Sequence, residues 1–287
     1  MQEIIAYFIQ NLTALYIAVA LLSLCIGSFL NVVIYRTPKM MEQDWQQECQ
    51  MLLNPEQPII EHEKLTLSKP ASSCPECHQP IRWYQNIPVI SWLMLRGKCG
   101  HCQHPISIRY PAIELLTMLC SLVVVMVFGP TLQMLWGLVL TWVLIALTFI
   151  DFDTQLLPDR FTLPLAALGL GINTFNIYTS PNSAIWGYLI GFFMSFGLCI
   201  TYLKVITGKE GMGYGDFKLL AALGAWMGPL MLPLIVLLSS LLGAIIGIIL
   251  LKLRNDNQPF AFGPYIAIAG WVAFLWGDQI MKIYLGG

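Results

Sequence analysis

The sequence predicts an all-α polytopic membrane protein of about eight transmembrane helices, with a small extramembrane domain between the first two. Three observations lead there. Of 287 residues, 57% are hydrophobic and 11% charged, where a soluble domain carries roughly 25% charge. The apolar residues gather in runs close to the ~20 residues that a spanning helix needs. The polar residues collect in one long segment that holds two CxxC pairs.

The runs are expected at 11–35, 110–128, 131–150, 160–178, 184–206, 216–229, 230–252 and 262–284. The sixth is short and Gly-rich. The second opens near Pro111, a residue suited to a first helical turn. Gly129-Pro130 and Gly228-Pro229 read as tight turns between antiparallel neighbours. The N-terminus has no basic stretch and its first apolar run is too long for the core of a signal peptide, so no cleavable signal is expected.

Orientation follows from the cations. With eight crossings, fourteen of the fifteen Lys and Arg residues fall on one side, and only Lys282 on the other. The positive-inside rule makes the basic side cytoplasmic and places both termini outside. The net charge of −1 says nothing about nucleic acid, and no such partner is expected.

The polar segment 36–109 is too small to bury a large core and would gain from a metal staple. Cys74-Pro75-Glu76-Cys77 and Cys99-Gly100-His101-Cys102 are two knuckles separated by 21 residues. Four thiolates suit tetrahedral zinc, and a closed four-sulfur site is structural, since it leaves no open position for chemistry. The competing reading is a set of redox or unliganded cysteines. His78 and His101 stand nearby as bystanders. Residues 40–70 read as a loop or a short amphipathic helix.

Ionisable residues at membrane depth are functional suspects. Asp151 follows the apolar run Val143–Ile150, and Asp216 closes Gly213-Tyr214-Gly215-Asp216. Both belong to the cytoplasmic ends of their runs, so they meet if those helices pack together. Facing carboxylates can share acid–base work. Gly213 and Gly215 would let backbone approach a substrate strand where a Cβ would not. Against this, an aspartate at a helix end is often only solvated or an N-cap, which suits Asp153 and Asp159. Asp151, Asp153 and Asp159 could also form a divalent-metal site. A transporter would place its polar groups near the midplane, whereas these acids cluster at one face. A membrane-anchored zinc module would leave the glycine-rich aspartate motif unexplained.

Further motifs carry a resemblance over nearly the whole chain. They are Gly27-Ser28-Phe29-Leu30-Asn31 through Tyr35-Arg36, the two cysteine knuckles, Ile81–Pro88, Leu95-Arg96-Gly97-Lys98-Cys99, and Ile106–Pro111 with Glu114. Ile150-Asp151-Phe152-Asp153, Leu156-Leu157-Pro158-Asp159 and the GxGD motif at Gly213–Asp216 complete the set. With these the sequence resembles the bifunctional type IV prepilin peptidases, leader peptidase and N-methyltransferase in one chain.

The resemblance implies an intramembrane aspartic protease of the bacterial inner membrane, with Asp151 and Asp216 as its catalytic pair at the cytoplasmic face. It implies a prepilin or pseudopilin substrate cut after a glycine, serving a pilus or secretion assembly. The new N-terminal amine would then be methylated from S-adenosylmethionine. The implied domains are a first transmembrane helix at 1–35, a cytoplasmic zinc-ribbon-like domain linked to methylation at 36–109, and a seven-helix peptidase domain at 110–287. Arg36, Asn31, Gly97 and Glu114 are candidates for cofactor or amine binding. Set beside that are interfacial anchoring for Arg36 and interhelical hydrogen bonding for Asn31 and Glu114.

Overall fold

The computed structural model describes residues 8–53, 65–196, 213–254 and 261–285. Lys64 of the polar segment, the end of the fifth expected run with Lys204, and Lys209 beyond it lie outside these residues. The chain divides into two compact units, Met1–Pro130 and Thr131–Gly287. The described residues hold helices and no strand, with only two isolated bridges.

The first unit is built on α1 (Leu12–Leu53) and α3 (Arg109–Phe128), with the short α2 (Ile90–Met94) in the polar segment between them. α1 and α3 pack directly on each other. The reason is a small residue at the crossing: a Cβ on Gly27 would lie 2.7 Å from the Glu114 Cα and 3.2 Å from the Thr117 side chain. Small residues let helix backbones approach where lipid supplies no hydrophobic drive. Asn31 then bridges the pair, its Nδ2 donating to the Tyr110 carbonyl at 3.1 Å.

The helix that carries the first apolar run, 11–35, does not stop with it: α1 runs unbroken to Leu53 through Pro38. At 1.5 Å per residue its 42 residues reach about 63 Å, twice the roughly 30 Å hydrocarbon core. The part after Arg36 therefore continues as polar helix.

The second unit contains α4 (Leu132–Thr154), α5 (Asp159–Asn173), α6 (Pro181–Phe196), α7 (Tyr214–Met227), α8 (Leu232–Arg254) and α9 (Gly263–Leu285). α7 is its centre. From Leu219 to Trp226 every residue is buried, as expected of a helix apolar all round. α6, α5 and α9 pack against it. Its far end is pinned by Asn173, which donates to the carbonyls of Ala225 and Trp226 at 2.9 and 3.0 Å, and by the Trp226 indole N–H on the Leu165 carbonyl at 2.8 Å. α9 is tied to α4 by the Trp271 indole N–H on Thr141 Oγ1, at 3.0 Å.

Five described stretches are long and apolar enough to span a bilayer: α1, α3, α4, α9, and Pro229–Ile249 covering most of α8. The chain is thus an all-α, multi-pass membrane protein. The count of eight does not follow. α5 and α7 have 15 and 14 residues, about 21–23 Å of helix, and 16 residues of α6 are described. Apolar runs marked eight helices, but length limits which of them qualify as spans.

Candidate active site and metal centre

The glycine-rich turn folds into the start of α7. Gly213 is its N-cap and Asp216 sits in its first turn. The Asp216 Oδ2 accepts the Gly213 N–H at 3.1 Å, a reach-back that satisfies one orphan donor of the helix start. Asp151 lies in the last turn of α4, where its carbonyl accepts the Gln155 N–H at 2.8 Å and the helix closes on a left-handed Gln155. Both carboxylates are buried, with 4% and 7% of their surface exposed, and they lie close enough to act on one another electrostatically.

Leu157 packs against the start of α7 and explains the second glycine of the motif. A Cβ on Gly215 would fall 2.6 Å from Leu157 Cβ. The same side chain meets the start of α9, where a Cβ on Gly263 would lie 2.9 Å from Leu157 Cδ1 and 3.1 Å from the Asp151 carboxyl carbon. The Gly263 N–H also faces the Asp151 carboxylate. Sequence reasoning missed Gly263. A signal was present, Phe262-Gly263-Pro264 just before an apolar run, which marks a helix start.

The neighbouring acids stand apart. Asp153 is exposed on the outer side of the α4 end. Asp159 opens α5 and pairs with Lys218 of α7, both oxygens at 2.7 Å. A metal site of Asp151, Asp153 and Asp159 does not form among the described residues, where the four-cysteine group is the cluster found.

In the first unit, Cys74, Cys77, Cys99 and Cys102 come together with all four sulfurs within 4.8 Å of one another. Cys74 and Cys102 stand 3.7 Å apart, and Zn–S bonds of about 2.3 Å in a tetrahedron need about 3.8 Å. The two knuckles share one backbone design. Cys74 exchanges bonds with His78 and Gln79 at 3.0 and 3.1 Å, and Cys99 with Gln103 and His104 at 3.1 and 2.8 Å. His78 and Gln103 take positive φ to close the turns. The Cys102 backbone N–H, helped by that of His101, holds the Cys99 thiol down at about 6, favouring the thiolate that a metal needs. The donor set and the spacing fit a closed metal centre.

The four remaining candidates have partners within the first unit. Arg36 donates to the carbonyls of Thr66 and Pro70 at 2.8 and 2.7 Å. Asn31 bridges α1 and α3, and the Glu114 carboxylate accepts the Val89 N–H at 2.7 Å. Gly97 has φ +68°, and a Cβ there would lie 2.9 Å from the Trp92 ring.

Two family descriptions match the chain. Residues 21–128 match the Bacterial Peptidase A24 N-terminal domain, and residues 138–248 match the Type IV leader peptidase family. A prepilin leader peptidase/N-methyltransferase of Aeromonas hydrophila is 53% identical over 269 residues, 93% of this chain and 92% of that protein. The protein so named from Pseudomonas aeruginosa is 49% identical over 97% and 96% of the two chains, and that of Dichelobacter nodosus 45% over 93% of each. No solved structure gives a significant match. The chain belongs to the type IV leader peptidase family.

Proposed function

We propose that this protein cuts the leader from prepilins or pseudopilins with Asp151 and Asp216, then methylates the exposed N-terminal amine. The observation that carries this reading is the pair of buried carboxylates, Asp151 against the start of α9 and Asp216 in the first turn of α7, inside one apolar helical unit. The relatives named as prepilin leader peptidase/N-methyltransferase support both activities.

Like charges at short range resist ionising together. One aspartate ionised and one protonated is therefore the working state. The ionised carboxylate takes a proton from water, which adds to the scissile carbonyl carbon while the other carboxyl donates to its oxygen. The C–N bond then breaks and the leaving amine carries away a proton. Neither aspartate bonds to substrate carbon, so trapping an acyl-enzyme would contradict the scheme. Because one proton is shared, the rate should fall at both pH extremes. Gly213 and Gly215, at the N-cap and in the first turn of α7, are the positions beside which the substrate strand lies.

The four-cysteine centre takes structural zinc and organises the region from 36 to 109, to which we assign N-methylation, while 110–287 performs proteolysis. S-adenosylmethionine, when bound, supplies the methyl group. Arg36, Asn31, Gly97 and Glu114 serve by keeping that region in shape for the cofactor and the amine. The protein resides in the inner membrane with its dyad toward the cytoplasm and both termini in the periplasm. That orientation takes all eight apolar runs as crossings, short α5 and α7 included, which puts fourteen of the fifteen cations on one side.

The test uses wild type, Asp151→Asn and Asp216→Asn in detergent with a prepilin, with and without S-adenosylmethionine, read by product mass. Wild type should lose the leader and gain one methyl mass, and both variants should leave the substrate intact. Normal cutting by either variant sinks the dyad.

A further inference from the structure

Asp151 presents an unusual buried carboxylate. Its Oδ2 has no hydrogen-bond partner, although only 4% of the residue is exposed. The start of α9, a helix of 23 residues, lies against it. A helix start points free N–H groups outward and favours negative charge. Gly263 is the first residue of α9, with Pro264 next. A Cβ on Gly263 would overlap the Oδ2 itself and sit 3.1 Å from the carboxyl carbon. Any other residue therefore has to displace the carboxylate or the helix.

We infer that Gly263 is a positioning residue for the peptidase reaction, whose backbone N–H and missing Cβ seat the Asp151 carboxylate against the start of α9. The inference rests on the dyad proposed above. Gly263 does not touch the substrate. It leaves Oδ2 free to face the reacting water, and it holds that oxygen at the place where Asp216 can share the work.

The same helix contains a matched control. A Cβ on Gly277 would lie 2.8 Å from Met231 Sδ, so alanine there also crowds a neighbour, but a flexible one in a different part of the helix. A second comparison separates the carboxylate from ordinary packing. Leu157 is the other atom group that a Cβ on Gly263 would meet, and Leu157→Ala removes it.

The experiment measures kcat and KM for prepilin cleavage, and methyl transfer to a pre-cleaved pilin, in Gly263→Ala, Gly277→Ala, Leu157→Ala and the Gly263→Ala/Leu157→Ala pair. Displacing a catalytic group by about 1 Å costs about 10²-fold. Gly263→Ala should lose about that much kcat with little change in KM, and should keep methyl transfer. Gly277→Ala should keep most of its kcat, and the double variant should stay as slow as Gly263→Ala. Full kcat in Gly263→Ala overturns the inference. Recovery in the double variant does so too, because it reduces the effect to packing on Leu157. So does an equal loss in Gly277→Ala, or loss of methyl transfer together with cleavage, which marks a folding defect. The dyad fails separately, through an active Asp151→Asn.

Discussion

α6 and α7 cross with backbone against backbone, which makes Gly187→Ala a severe test of the fold around Asp216. Gly187 and Gly191 stand four residues apart on α6, the spacing that puts small residues on one helix face. A Cβ on Gly187 would lie 2.7 Å from the Gly224 carbonyl carbon and 2.9 Å from that of Gly228, with the Gly224 oxygen closer still. Ordinary contact starts at 3.4 Å, so the helices must part by about 1 Å, enough to forfeit a quarter to a half of the dispersion attraction across the gap. Overpacking of this kind costs about 1–3 kcal/mol. Here the opposing wall is main chain and cannot swing aside, so the upper end applies, about 3 kcal/mol. α7 carries Asp216 in its first turn, and a shift of that size should also reduce cleavage about 10²-fold. Thermal unfolding in detergent and prepilin cleavage kinetics measure the two effects. Gly171→Ala is the comparison, because a Cβ there meets nothing within 4 Å. It should be neutral, or stabilising by about 0.4–1 kcal/mol through the unfolded chain. A Gly187→Ala protein with wild-type melting temperature and kcat would refute the close crossing.

Other outcomes follow from single contacts. Asn173 is fully buried and its Oδ1 also accepts the N–H groups of Tyr178 and Thr179 at 3.0 and 3.2 Å. Asn173→Ala strands these groups and should cost about 1–3 kcal/mol, visible as a lower melting temperature, and an unchanged melt contradicts the cap. The Lys218–Asp159 pair is partly exposed, so Lys218→Ala should shift stability by about 0–1 kcal/mol and leave cleavage close to wild type. A complete loss of cleavage would give Asp159 a role that its geometry does not suggest. Cys99→Ser, or stripping with a chelator, should abolish bound zinc by elemental analysis and depress methyl transfer far more than cleavage. Full metal content in Cys99→Ser would refute the four-sulfur centre.

Much of the candidate site was readable in the chain because its chemistry is local. CxxC spacing forces two thiolates of a knuckle to face one metal, so the cluster of Cys74, Cys77, Cys99 and Cys102 followed from spacing and from the preference of a small polar segment for a staple. A carboxylate beside an apolar run is expensive, so Asp151 and Asp216 stood out wherever they came to rest. The helices around them were legible for the same reason, since apolar runs of that length have few alternatives in lipid.

What the sequence by itself determined is the class of the protein: membrane helices, a four-thiolate knuckle pair, and two aspartates bordering apolar helices. Run length and residue cost do not depend on where distant segments lie. The tertiary structure decided the rest. Only packing shows that α1 continues to Leu53, that α7 is enclosed by protein, and that Leu157 lies beside both Gly215 and Gly263. Only packing brings the start of α9 against Asp151, more than a hundred positions away in the chain, because a glycine's meaning depends on which atoms would meet its missing Cβ.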